Sequence, residues 1–94
     1  MIIVSGRIQA KPGARDAFLT ASRESMVAAR AAPGCRDFVV APDPLEPNRV
    51  NVYEEWETAD DLERFRGDRP GPDLTVSINH ADVGRHEVAF TGPP

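Results

Sequence analysis

Arg49-Val50-Asn51-Val52-Tyr53-Glu54-Glu55-Trp56 runs directly into Glu57-Thr58-Ala59-Asp60-Asp61, and the join between the two stretches decides the fold. The first is rich in β-branched and aromatic residues and has a period of two. Val50, Val52, Glu54 and Trp56 share one face, and Asn51, Tyr53 and Glu55 share the other. In the second, Thr58 can accept a hydrogen bond from free backbone amides, and Asp61 stands where the acid of a capping box sits. Leu62 and Phe65 then supply a helical inner stripe. A strand therefore hands over to a helix within about two residues.

Upstream, Pro42-Asp43-Pro44-Leu45-Glu46-Pro47-Asn48 holds three prolines in six residues, which exclude regular structure there. Asp37 to Ala41 reads as a strand centred on Phe38-Val39-Val40. From Ala14 to about Ala31 the period is helical: Ala14, Phe18, Ala21, Ser25 and Ala29 recur on one side, flanked by Leu19, Met26 and Val27, until Pro33-Gly34 stops the helix. Residues 2 to 9 alternate as a strand that Lys11-Pro12-Gly13 ends. Downstream, Gly67 to Pro72 reads as a turn, Asp73 to about Asn79 as a helical turn or short helix, Val83 to Phe90 as a fourth strand, and Thr91 to Pro94 as a tail.

The order strand, helix, strand, strand, helix, strand predicts an α+β, ferredoxin-like β-α-β-β-α-β domain over 1–94. Its four-stranded antiparallel sheet carries both helices on one face. The other face holds Ile3, Ser5, Arg7, Asn51 and Tyr53, a mixture too apolar to sit easily in water. A second copy covering it predicts a two-fold, sheet-to-sheet homodimer. A chain of 94 residues buries only about 60–65% of its unfolded surface, so such pairing would also stabilise a thin core.

Composition narrows the function. The net charge is −4, with ten arginines and Lys11 scattered among fifteen acids, so no basic stripe exists to bind nucleic acid. Apolar runs are strand-sized, which argues against a membrane span, and Met1-Ile2-Ile3-Val4 enters a strand without the basic flank of a signal peptide. The expectation is a cytoplasmic protein. Cys35, the one cysteine, reads as a small buried hydrophobe. Among Cys35, His80 and His86 no metal-ligand spacing occurs, so no metal is expected.

Several stretches together resemble the antibiotic biosynthesis monooxygenase family of dimeric α+β barrels. They are Lys11-Pro12-Gly13 before the first helix, Ala32-Pro33-Gly34-Cys35 after it, Val52-Tyr53-Glu54-Glu55-Trp56-Glu57-Thr58 with the acid-rich opening of the second helix, and Arg66-Gly67-Asp68-Arg69-Pro70. The resemblance implies oxidation of a quinol, anthrone or polyketide-like aromatic by molecular oxygen, with no cofactor, in a pocket between sheet and helices. Of the residues that active members use, Trp56 is retained. Their asparagine falls at Val52, with Asn51 one residue off on the opposite face, and their helix-two tyrosine falls near Leu62. The asparagine, tryptophan and histidine of haem-degrading relatives fall near Gly6, Phe65 and Thr75, which disfavours haem.

Candidate catalytic residues are Trp56, Glu54 and His86, with Phe18, Met26, Val52 and Phe65 lining the substrate site. Trp56 either stacks on an aromatic substrate or plugs the core. Glu54, on the inward face of a central strand, is either a general base raised in pKa by burial or a structural hydrogen-bond partner. His86 is either a proton acceptor in the same cavity or a satisfied structural residue. His80 reads as solvent-exposed. Arg7, Tyr53 and Arg85 read as dimer-face residues, Arg85 alternatively as a counter-charge for an anionic substrate. Beside the monooxygenase stand two other readings: a non-catalytic small-molecule-binding dimer, and an isomerase or cyclase on the same barrel.

Overall fold

The computed structural model describes residues 1–68 and 77–94. In chain order the elements are β1 (Ile2–Ala10), α1 (Arg15–Arg30), β2 (Cys35–Pro42), β3 (Arg49–Trp56), α2 (Ala59–Asp68) and β4 (Ile78–Glu87). The sheet order is β2-β3-β1-β4 and every neighbouring pair is antiparallel, which is the ferredoxin-like plan.

Period two decides which side chains meet. Ile2, Val4, Phe38 and Trp56 come from three adjacent strands and are buried in one cluster with Ala29 of α1 and Leu62 of α2, so both helices cover the same sheet face. Trp56 and Leu62 are fully buried. Each large apolar side chain removed from water there contributes about 1.5–3 kcal/mol. On α1 the buried residues are Phe18, Ser22 and Ala29; Ser22 donates its hydroxyl to the Phe18 carbonyl at 2.9 Å. Val27, expected beside the inner stripe, is 64% exposed.

α2 starts as its sequence predicts. The Asp61 amide donates to Thr58 Oγ1 at 3.1 Å, and the Thr58 hydroxyl donates to Asp61 Oδ2 at 2.8 Å. Gly34 (φ 81°) lies against this helix start: a Cβ there would meet the Asp61 carboxylate at 2.2 Å. Its carbonyl accepts the Glu57 amide at 2.8 Å. Only glycine combines that backbone angle with that approach.

The β2–β3 connection is organised by Asp43. Its Oδ2 accepts the amides of Leu45 (3.0 Å) and Glu46 (2.9 Å), and its Oδ1 accepts Asn51 Nδ2 (2.9 Å). Arg15 Nη1, from the first turn of α1, donates to the carbonyls of Asp43, Glu46 and Arg49 at 3.3, 3.0 and 3.4 Å. Asn51 is thus committed to the loop, and it also accepts Arg49 Nε at 2.7 Å.

β1 runs one residue further than the sequence suggests, to Ala10, and β2 takes in Pro42, which pairs with Val50 although the sequence places it in the loop; three other boundaries differ as well. β2 begins at Cys35, two residues early, with a register shift between Cys35 and Asp37. α2 continues through Gly67, which was read as turn. β4 spans Ile78–Glu87 in place of 83–90, so Ile78 and Asn79 are strand, His80 lies in a strand and not a bend, and Phe90 is 85% exposed. The rest of the expected helical turn, and the turn after Asp68, fall at 69–76, outside the described residues. β4 is an edge strand paired only with β1 by backbone hydrogen bonds, so little burial enforces an apolar alternation in its sequence.

Candidate functional site: a buried carboxyl and indole on the central strand

Glu54 and Trp56 are two apart on β3 and therefore share the helix-covered face. Trp56 is fully buried and Glu54 is 8% exposed. The indole Nε1–H donates to Glu54 Oε1 at 3.1 Å. Phe65 of α2 lies on the indole with ring centroids 5.3 Å apart, and Phe38 of β2 meets Phe65 edge-on at 6.0 Å. A carboxyl thus sits against an aromatic wall built from two strands and a helix.

Loss of water pushes the Glu54 carboxyl above its ordinary value of 4.5. The Trp56 N–H and the positive charges of Arg66 and Arg85 act against that rise. A carboxyl in this position exchanges a proton at a less acidic pH than a surface glutamate does, which general acid–base work requires.

Pairing registers locate the remaining candidates. Gly6 pairs with Val52 on one side and Val83 on the other, so half-buried Val52 lies one step along the same face as Glu54. A Cβ on Gly6 would come within 2.0 Å of the Asp82 carbonyl, so β1 and β4 approach closely beside that row. Met26 and Phe65 are packed against the cluster that contains Trp56. Phe18 is buried but belongs outside that cluster.

His86 pairs with Ile3, and is therefore on the face away from the helices, exposed. The expectation that it shares a cavity with Glu54 is corrected. Arg85 takes the place expected of His86: it pairs with Val4, whose other partner is Glu54, so Arg85 faces the helices and not the dimer face of its first reading. Both reversals have one cause. An edge strand lacks an internal apolar marker, so its parity is fixed only by its register against β1. Arg7 and Tyr53 do lie on the uncovered face; Arg7 pairs with Asp82 (3.1 Å), and the Tyr53 hydroxyl donates to Glu55 at 2.8 Å.

Sequence reading missed Phe38 and Arg66. Phe38 pairs with Glu54 across β2 and β3, and Arg66 follows Leu62 by one helical turn, so both were traceable from face assignments. A cleft of about 270 Å³ lined by Gly13, Arg15, Asp16, Pro47 and Asn48 contains none of the candidate residues. Among the described residues no cluster of three metal-ligating side chains occurs, and no helix is long and apolar enough to cross a membrane.

A four-stranded antiparallel sheet with both helices on one face defines a ferredoxin-like α+β domain. Residues 1–69 match the family model for antibiotic biosynthesis monooxygenase, and the chain belongs to that family. No curated protein matches it significantly in sequence. Among solved structures, a candidate antibiotic biosynthesis monooxygenase from Deinococcus radiodurans superposes with a TM-score of 0.86 at 17% identity, covering 100% of this chain and 98% of that one. Rv0793 from Mycobacterium tuberculosis gives 0.83 at 17% identity, with 98% of each chain covered. A further antibiotic biosynthesis monooxygenase gives 0.80 at 22% identity, covering 96% of this chain and 100% of that one. At such identities the likeness shows the fold.

Proposed function

We propose that the chain is a monooxygenase that oxidises a quinol, anthrone or polyketide-like aromatic with O2 and needs no cofactor. Family membership supports the reaction class, and the buried Glu54–Trp56 pair is the observation that carries the assignment of residues. Glu54 takes a proton from the acidic C–H or O–H of the substrate. The resulting carbanion or phenolate passes electrons to O2 and forms a C–O bond. The hydroperoxide then loses water to leave a ketone or quinone, so one oxygen atom enters the product and the other leaves as water. Met26, Val52 and Phe65 supply apolar surface for a flat ring, and Phe65 must move off the indole if the ring is to stack on Trp56. Phe18 would act further along the same face, and His86 would act only from the opposite one.

The mixed face of the sheet is proposed to pair with a second copy. Half-buried Ile3, Val39 and Tyr53 supply its apolar part. Light scattering should give twice the chain mass, and Ile3→Asp should give the monomer. A monomeric unchanged protein at micromolar concentration overturns the pairing.

The enzymatic test is oxygen uptake with a panel of anthrones and quinols. Glu54→Gln should lower catalysed uptake about 100-fold or more, the usual contribution of a general base. Trp56→Phe should lower it less. A second reading, a non-catalytic binding dimer, draws on Leu62 and Val52, apolar where active members of the family carry a tyrosine and an asparagine. Ligand-induced stabilisation by the same compounds, without uptake above their own autoxidation, would favour it over the enzyme.

A further inference from the structure

The strand row that carries Glu54 also carries a cation, Arg85, which is ion-paired to Glu63 of α2. Phe38, Glu54, Val4 and Arg85 form one cross-strand row on the helix-covered face. Two strand spacings separate the Glu54 and Arg85 backbones, roughly 10 Å, a gap that an arginine side chain largely spans. Arg85 nonetheless turns outward: its Nη2 donates to Glu63 Oε1 on α2. Glu63 is 57% exposed and Arg85 41%. The pair joins α2 to β4 across the open side of the row.

The geometry points to Arg85 as a positioning residue for the Glu54 carboxyl, with Glu63 holding it in the outward of two settings. Outward, on Glu63, the guanidinium is partly neutralised and exerts a weak field on the buried carboxyl. Inward, it lies against Glu54 and stabilises the carboxylate. Anything that draws Glu63 away, such as a movement of α2 when a ligand displaces Phe65, would move the cation toward Glu54 and change its readiness to hold a proton. The other groups around Glu54 among the described residues are the Trp56 N–H on its own strand, Arg66 on α2 and the Cys35 thiol on β2. α1 faces the cluster with apolar Met26 and Ala29.

The importance of this pair to turnover rests on the reading of Glu54 as proton acceptor, so the test reads ionisation and not turnover. Trp56 is the only tryptophan and donates directly to Glu54, so its fluorescence followed against pH reports that carboxyl. The transition belonging to Glu54 is the one that Glu54→Gln removes. Arg85→Gln should move its midpoint upward, and Glu63→Gln should move it downward, each by about half a pH unit, as expected for one screened charge near 10 Å. Arg85→Lys, which keeps the charge, should sit close to the unchanged protein. The double variant Glu63→Gln/Arg85→Gln decides the route: if Glu63 acts through Arg85, its downward shift vanishes in that background. Both side chains are on the surface, and unchanged circular dichroism serves as the control for folding.

A downward shift that persists without Arg85 overturns the proposal, because Glu63 then acts directly. So does an unmoved midpoint in Glu63→Gln, or the absence of any Glu54-dependent transition between about pH 3 and pH 9. None of these outcomes depends on finding a substrate, so they can be told apart from failure of the monooxygenase reading.

Discussion

Glu54 and Asp43 are both acidic residues with hydrogen-bond donors and an arginine charge nearby, and they differ in whether burial or the donors win. Asp43 accepts from the amides of Leu45 and Glu46 and from Asn51 Nδ2, and Arg49 Nε lies at 3.5 Å. Led by the Asn51 bond, these donors hold its carboxyl down from 3.8 to about 2. Glu54 sits under the helices with the Trp56 N–H at 3.1 Å, and burial outweighs that one donor. Counting donors against lost water therefore separates a carboxylate used as a fixed anion from one able to trade a proton. Asp43 builds a loop, and Glu54 is the one to watch for chemistry.

The largest effect should come from Trp56→Ala. A fully buried indole is lost and the Glu54 carboxyl is left without its donor, so unfolding by urea should show a loss of about 3–5 kcal/mol. Trp56→Phe keeps part of the packing and removes the N–H together with one ring of the buried indole, for a loss of about 1–3 kcal/mol. It should also raise the Glu54 carboxyl further, visible by NMR of the carboxyl carbon. Equal losses in the two variants would mean that the N–H and the second ring carry the whole effect, and the remaining aromatic contact would then contribute little.

The two carboxyls should leave opposite signatures in stability against pH. Glu54 is raised in the folded state. Its favourable share is complete below the ordinary value of 4.5 and is lost as pH rises through the folded value. Asp43 is lowered in the folded state. Its share is present above 3.8 and is lost as pH falls toward about 2. Urea midpoints measured across this range should show Glu54→Gln gaining on the unchanged protein toward alkaline pH. Asp43→Asn should lose most near neutrality and converge with the unchanged protein in acid, with a deficit in Tm of about 5 °C at pH 7. If both variants deviate on the same side, the assignment of one site as strained and the other as satisfied fails.

The sequence carried this contrast unevenly. β3 was legible from Arg49 to Trp56 because it lies between two strands and under two helices, so its alternation records which face is buried. The placement of Glu54 followed from that parity alone. β4 lies on the other side of β1 and has solvent beyond it, so Asn79, His80, Asp82 and Arg85 meet no constraint that alternation would reveal. That is why the sequence puts His86 with Glu54 and assigns Arg85 first to the dimer face. The three prolines after Ala41 announced a loop but could not announce that Asp43, Asn51 and Arg15 would brace it, since those residues are linked by pairing and not by spacing.

Asn51→Ala gives the smallest effect and the finest test of whether the two regions are independent. Asn51 and Glu54 are three residues apart on β3 and point to opposite faces, so the strand backbone is the shortest route between them. Removing the amide deletes one donor to Asp43 and the acceptor of Arg49 Nε, at a net loss of about 1 kcal/mol. Amide hydrogen exchange should quicken at Leu45 and Glu46, whose N–H groups rely on a fixed Asp43 carboxylate. The Glu54-dependent midpoint of Trp56 fluorescence should stay where it is. A moved midpoint would mean that strain at the loop reaches the buried carboxyl through β3, and Asp43 would then belong to the electrostatic environment of the site.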